Sequence, residues 1–403
     1  MQAFVLERYG KRGALQAVDM PMPELRDDEV LVKVHAAGLN LLDAKIRNGE
    51  FKLILPYRLP IVLGHDVAGV VVKAGPRARQ FKPGDEVYAR LDDFRIGALA
   101  EYAPVKEASL ALKPKGLTME EAASIPLVGL TAWQALVTKA DLRKGQKVFI
   151  QAGSGGVGTL AIQLAKHLGA FVATTTSTTN VSLVKGLGAD VVIDYKTQDF
   201  EDVLHEYDVV LNSQDGKTLD KSLRVLRHGG QLISISGPPD PAFGQEIAAP
   251  AFVKLVMRLL SSRVRRKAHS RGIAYAFLFM KANGSQLHEI TRLIEAGAIR
   301  PVIDRVCPFE STNEALAYWR PAAPRARSSS SSSESVPCLA APTQSMEPVM
   351  RIENAICPGH RCQSRHRLDV CARVAVPRSA QGLRRYARPR DCAKRVFKPC
   401  SST

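Results

Sequence analysis

Cysteine is almost absent from most of this sequence: the chain has seven, and Cys307 is the only one before residue 338. That excludes a disulfide framework or a four-cysteine metal loop over this stretch and suits a reducing compartment. There is no apolar run of about 18 residues and no charged-then-apolar leader after Met1, so the sequence predicts no membrane span, no secretion and a cytoplasmic protein. Acidic side chains are the minority, 39 against 56 Lys and Arg for a net charge of +17, a balance that taken whole suggests nucleic acid. Its location says otherwise: residues 319–403 hold 16 of the basic and 5 of the acidic side chains, a net of +11, which leaves +6 for the first 318. No nucleic-acid partner is expected for the body of the chain.

What is present is enough apolar side chain, 45% of 403 residues, for more than one core. Up to FESTNEALAY the sequence reads as folded protein; after Tyr318 it becomes WRPAAPRARSSSSSSESVPC. This stretch offers too little apolar surface to offset its ordering entropy, and residues 319–403 are expected to be a disordered, low-complexity basic tail. The body has two styles. Residues 1–115 carry short alternating segments such as EVLVKVHAAG and DVAGVVVKAG broken by Gly and Pro, which predict a β-rich domain. From about 116 strands and helices alternate: EEAASIPLVGLTAWQALV as a helix, VFIQAG a strand, TLAIQLAKHLG a helix, then FVATTT, VSLVKGLG, VVIDY and YDVVLNS. That order predicts an α/β domain with a parallel, doubly wound sheet over 116–284.

The glycines of QAGSGGVG gain meaning from this context. Gly153, Gly155 and Gly158 form GxGxxG directly after a strand and opening a helix, where bare backbone approaches a pyrophosphate and the helix N-terminus stabilises its charge. Ser154, Gly155, Gly156, Val157 and Gly158 are the predicted contacts. At the end of the next strand an acid would grip the ribose 2'-hydroxyl of NAD and repel a 2'-phosphate. The sequence there is TTTSTTN, with Ser177 and Thr178 and no carboxylate, so NADPH is the expected cofactor.

In order, MQAFVLERYG, EVLVKVHAAGLN, LGHDVAGVVVKAG, FKPGDEVYA, GALAEYA, GLTAWQAL and AGSGGVGTLAIQLAK resemble the medium-chain dehydrogenase/reductase superfamily. The group most similar is the zinc-independent quinone oxidoreductases and NADPH-dependent enone (alkenal) reductases. The resemblance runs from Met1 to about Tyr318. It implies a GroES-like catalytic domain over 1–115, completed by about 285–318, a Rossmann domain between, and a homodimer. It further implies cofactor contacts from Lys45, Thr131, Tyr195, Asn212, Ser236 and Gly237.

Catalytic zinc in the superfamily needs three protein ligands, commonly two of them thiolates. Asn40 stands where the first Cys would be, and although His65 and Asp66 remain in LGHD, the later thiolate is missing; no metal is expected. A metal-free reductase has only to orient the nicotinamide and stabilise a developing enolate or hydroquinone oxygen. Asn40 and Tyr57 are the candidate catalytic donors, with a quinone or α,β-unsaturated carbonyl as substrate. A non-catalytic NADPH-binding protein with nucleic-acid contact is the alternative.

Two segments stand outside this frame. Residues 249–269, APAFVKLVMRLLSSRVRRKAH, join an apolar stripe to a basic cluster, which fits an insert lining the cleft, a dimer contact, or a membrane-surface or nucleic-acid helix. Relatives in the resembled group end in something like YVETGRAKGKVVVKV. Codons for WRPAAPRARSSS chosen within the degeneracy read VETGRAKGKVVV once a single G is placed ahead of them, which implies that 319–403 translate a shifted frame.

Overall fold

Two kinds of sheet divide the chain, and the strand order tells them apart. The computed structural model describes residues 1–10, 13–52, 55–318 and 349–351. Strands from the first 112 residues are antiparallel: Glu29–Gly38 pairs with Asp66–Ala74, which pairs with Glu86–Arg90, which pairs with Leu110–Leu112. Tyr102–Lys106 also pairs with Glu29–Gly38, and Gln2–Leu6 lies in a separate three-stranded sheet between Gln16–Asp19 and Ile61–Val62. Val30, Val32, Val34, Val67, Val87 and Leu99 from these strands and loops fill one core with Phe4 and Leu6.

The second sheet is parallel and six-stranded, in the order Val191–Asp194, Phe171–Thr176, Lys147–Ile150, Tyr207–Asn212, Leu226–Ser234, Ala274–Phe277. Because neighbouring side chains on a strand point to opposite faces, the apolar run VFI serves two cores at once. Val148 and Ile150 pack into one with Leu160, Ile162 and Leu164 of helix Gly156–His167. Phe149 packs into the other with Leu219 and Leu223 of helix Gly216–Val225. Helices therefore cover both faces, as a buried parallel sheet requires.

The structure differs from the sequence reading at two places. EEAASIPLVGLTAWQALV is not one helix: Met119–Ala123 ends and Pro126–Trp133 begins anew, because Pro126 has no N–H to continue the ladder and is tolerated only in a first turn. The tail is also not wholly without structure. Val349–Arg351 forms a strand between Val306–Pro308 and Glu29–Gly38, with Val349 and Met350 fully buried. Two apolar side chains in sequence are enough to fill an open sheet edge. The rest of the tail, with the implied frame shift, lies outside the described residues.

Candidate active site

The first group of site residues is built around Asn40. AGLN ends the long strand Glu29–Gly38 and Asn40 caps helix Leu41–Asn48, with Asp43 three residues on. The Asp43 carboxylate accepts the Asn40 backbone N–H at 2.8 Å, half of the capping-box pattern. Its other oxygen lies 2.6 Å from His65 Nδ1, and both side chains are fully buried. Asn40 Nδ2 donates to Asp66 Oδ2 at 3.1 Å, and the same oxygen accepts the Leu127 N–H at 3.1 Å, in the first turn of helix Pro126–Trp133. That helix packs on Gly156–His167, whose first turn carries the glycine motif. A short path of bonds and packing thus joins Asn40 to the predicted cofactor turn.

Burial pushes the Asp66 carboxyl up to about 8, against the pull of the bonds from Asn40 and Leu127 and the nearby Arg90 charge. Arg90 lies opposite Asp66 in the strand register, is itself buried, donates to Leu91 O at 2.7 Å and pairs with Asp93. Tyr57 is the neighbouring phenol. Burial, then the Asp93 charge, hold its pKa well above the ordinary tyrosine value, so it keeps its proton, and its hydroxyl has no hydrogen-bond partner among the described residues. Asn40 Oδ1, His65 Nε2 and Asp66 Oδ1 are likewise buried and unpartnered. Lys45 sits half-buried on the Asn40 helix.

The second group lies at the carboxyl ends of the parallel strands. Gly153 and Gly158 are required by packing: an added Cβ would stand 2.2 Å from Thr174 Oγ1 at the first and 2.3 Å from Ala152 O at the second. At Gly155 an added Cβ would press on Ala152 O at 3.3 Å and meet nothing else within 4 Å, so apart from that one tight contact this glycine leaves an open cradle. Gly155 caps helix Gly156–His167, and the first-turn N–H groups of Gly156, Val157 and Gly158 have no carbonyl four residues back within the helix. These features fit a dinucleotide pyrophosphate. The Ser154 hydroxyl accepts from Thr176 at 2.9 Å and Asn180 at 3.2 Å, which ties the turn to the next strand.

Ser177 is buried and 3.1 Å from Thr179 Oγ1. Thr178 donates to Asp194 at 2.5 Å, a bond that holds this carboxyl below its usual range, and Tyr195 is exposed beside it. The absence of a carboxylate at the strand end is thus true of the linear sequence only: parallel pairing of Thr176 with Asp194 brings one alongside. Asn212 is fully buried, donates to Ser234 at 3.3 Å and accepts from the Gln214 N–H at 3.0 Å. Ser236 donates to Gln214 O, and the Gly237 N–H to Ser234. Thr131 turns its hydroxyl onto Leu127 O at 2.7 Å within its own helix.

Asp43, Arg90, Asp93 and Asp194 join these groups from positions the sequence reading did not select. Only Asp43 had a signal, the N-x-x-D spacing of a helix start. Among the described residues no group of three or more His, Cys, Asp or Glu side chains could hold a metal ion. With Asn40 bonded to Asp66 and His65 to Asp43, the donor set does not fit a catalytic zinc.

Residues 26–115 match the family described as alcohol dehydrogenase GroES-like domain, and residues 187–323 the family described as zinc-binding dehydrogenase. The chloroplastic NADPH-dependent alkenal/one oxidoreductase of Arabidopsis thaliana is 37% identical over 327 residues, 79% of this chain and 75% of that protein. The 2-methylene-furan-3-one reductase of Solanum lycopersicum is 36% identical over 318 residues, 77% and 73% of the two. The quinone oxidoreductase structure from Coxiella burnetii superposes with a TM-score of 0.71 at 29% identity, over 87% of this chain and 99% of that one. With its paired sheets, glycine turn and this likeness, the chain belongs to the medium-chain dehydrogenase/reductase superfamily, in the group of quinone and alkenal/one oxidoreductases.

Proposed function

We propose that this chain transfers a hydride from NADPH to an α,β-unsaturated carbonyl or a quinone, without zinc. The observation that carries this reading is the open cradle at Gly155, set between the central strand Lys147–Ile150 and helix Gly156–His167 where the strand order reverses. The cofactor supplies the hydride when bound. The backbone at Gly155, Gly156, Val157 and Gly158 would hold its pyrophosphate, and Ser177, Thr178 and Tyr195 its adenosine phosphate. Lys45, Thr131, Asn212, Ser236 and Gly237 would serve the nicotinamide half. Asn40 keeps one amide hydrogen beyond the bond to Asp66, and Tyr57 keeps its phenolic proton; both would donate to the substrate oxygen as charge builds there. Hydride at one carbon and a proton at the other give the saturated carbonyl; hydride and proton give the hydroquinone.

We also propose a homodimer in the cytoplasm. Strand Ala274–Phe277 ends the parallel sheet with one side unpaired among the described residues, which supports a partner strand there. The single cysteine of residues 1–337 suits a reducing setting. No helix among the described residues is long and apolar enough to cross a membrane.

The test is NADPH oxidation by the purified chain with an enone, a quinone and a saturated aldehyde, with and without chelator. Chelator-insensitive turnover of the enone or quinone supports the proposal. Turnover of the aldehyde alone, or NADPH binding with no turnover of any substrate, overturns it, the latter in favour of a binding protein.

A further inference from the structure

Helix Ala251–Leu260 presents an apolar stripe that the fold does not use. Phe252, Leu255, Val256, Leu259 and Leu260, spaced i, i+3, i+4, i+7 and i+8, are 70%, 57%, 48%, 64% and 61% exposed. The helix is held by its opposite side, where Met257 and Val253 pack on Phe243 and Phe277. Helix Ser262–His269 follows directly, and exposed Arg263 and Arg266 fall at the next positions of the same repeat, i+11 and i+14. Residues 251–269 contain no Asp or Glu. Lys267 pairs with Asp220 at 2.6 Å, while no ion pair among the described residues neutralises Arg263, Arg265 or Arg266.

We propose that these two helices dock on an anionic lipid surface, the apolar stripe entering the headgroup boundary and the arginines meeting lipid phosphate and carboxylate. Such a stripe is unusual on a monomer in water, and apolar area beside uncompensated cations is what an interfacial helix offers a membrane. A second copy fits less well: residues 251–269 carry no carboxylate, so in a two-fold contact through this face the cations would meet no opposite charge. Nucleic acid fits the arginines but leaves the stripe in water.

Flotation of the full chain tests this, using vesicles of phosphatidylcholine alone and with about 30 mol % phosphatidylserine added. Binding is expected only with phosphatidylserine. The double variant Phe252→Ser/Leu259→Ser is expected to lose about a hundredfold or more in vesicle affinity with its charge unchanged, and Arg263→Glu/Arg266→Glu, a change of four charges, to lose on the order of a thousandfold. Both should retain native NADPH oxidation with a water-soluble enone, since neither touches the proposed site. Equal binding by the native chain and the Phe252→Ser/Leu259→Ser variant would assign the lipid affinity to the basic tail and overturn the proposal. So would absence of binding to either vesicle, or a native oligomer that this variant dissociates in the absence of lipid.

Discussion

One carboxylate oxygen, Asp66 Oδ2, accepts the Asn40 side-chain amide and the Leu127 backbone N–H, each at 3.1 Å. The antiparallel sheet, the proposed catalytic amide and the helix resting on the glycine turn meet at that atom. Asp66 is wholly buried, and its pKa rises from 3.8 to about 8. The unfolded chain releases this proton near the lower value and the folded chain near the upper. Between them the native state binds the extra proton, so the group's contribution to stability is complete below the lower value, declines with rising pH, and is gone above the upper. In Asp66→Asn the fall of the unfolding midpoint between about pH 4 and 8 should flatten; an unchanged slope would show that other groups set it.

Tyr57 gives a second prediction. Its buried hydroxyl bonds to nothing among the described residues, so Tyr57→Phe should leave the melting temperature equal or higher. Enone turnover should fall by about a hundredfold. Unchanged turnover would remove the phenol from the mechanism.

The glycines of the turn should separate by role. Gly158→Ala places a Cβ 2.3 Å from Ala152 O and should destabilise the fold by about 1–3 kcal/mol. Gly155→Ala meets only Ala152 O, at 3.3 Å, and should cost less stability than Gly158→Ala while weakening NADPH binding. Calorimetry alongside cofactor titration tests this, and equal losses of stability in both variants would contradict it.

Cofactor choice rests on the rim of the second strand. Ser177→Asp places a second carboxylate near Asp194, which is already bonded to Thr178, and should repel a 2'-phosphate. The ratio of Michaelis constants for NADPH and NADH should move toward NADH by about tenfold. No movement would take Ser177 out of the phosphate site.

Much of this architecture was legible because its signals are local. The VFI run, the glycines and TLAIQLAKH specify strand, turn and helix within twenty residues. Pro126 was equally visible, but the apolar character around it suggested one continuous helix. What could not be read depends on register. Asp194 reaches Thr178 only because it pairs with Thr176, and Arg90 reaches Asp66 only through antiparallel pairing. No spacing in the linear sequence encodes either neighbour. The exposure of Phe252 and Leu259 was hidden for another reason: periodicity identifies a helix face, but not whether anything lies over it.

Met350 supplies the last prediction. It is fully buried in the core under Glu29–Gly38, and Met350→Ala should destabilise the fold by about 2–5 kcal/mol. A neutral substitution would show that Val349–Arg351 adds nothing to that sheet.

The placement of Val349–Arg351 also affects the timing of synthesis. Its partner strand begins at Glu29, so more than three hundred residues separate the two sides of the pairing. The antiparallel sheet begins to form early in translation, yet its Ala36–Gly38 edge stays open until residue 351 has left the ribosome. During that interval the nascent chain displays a three-residue open edge beside the core position that Met350 fills, the condition in which chaperone capture competes with folding.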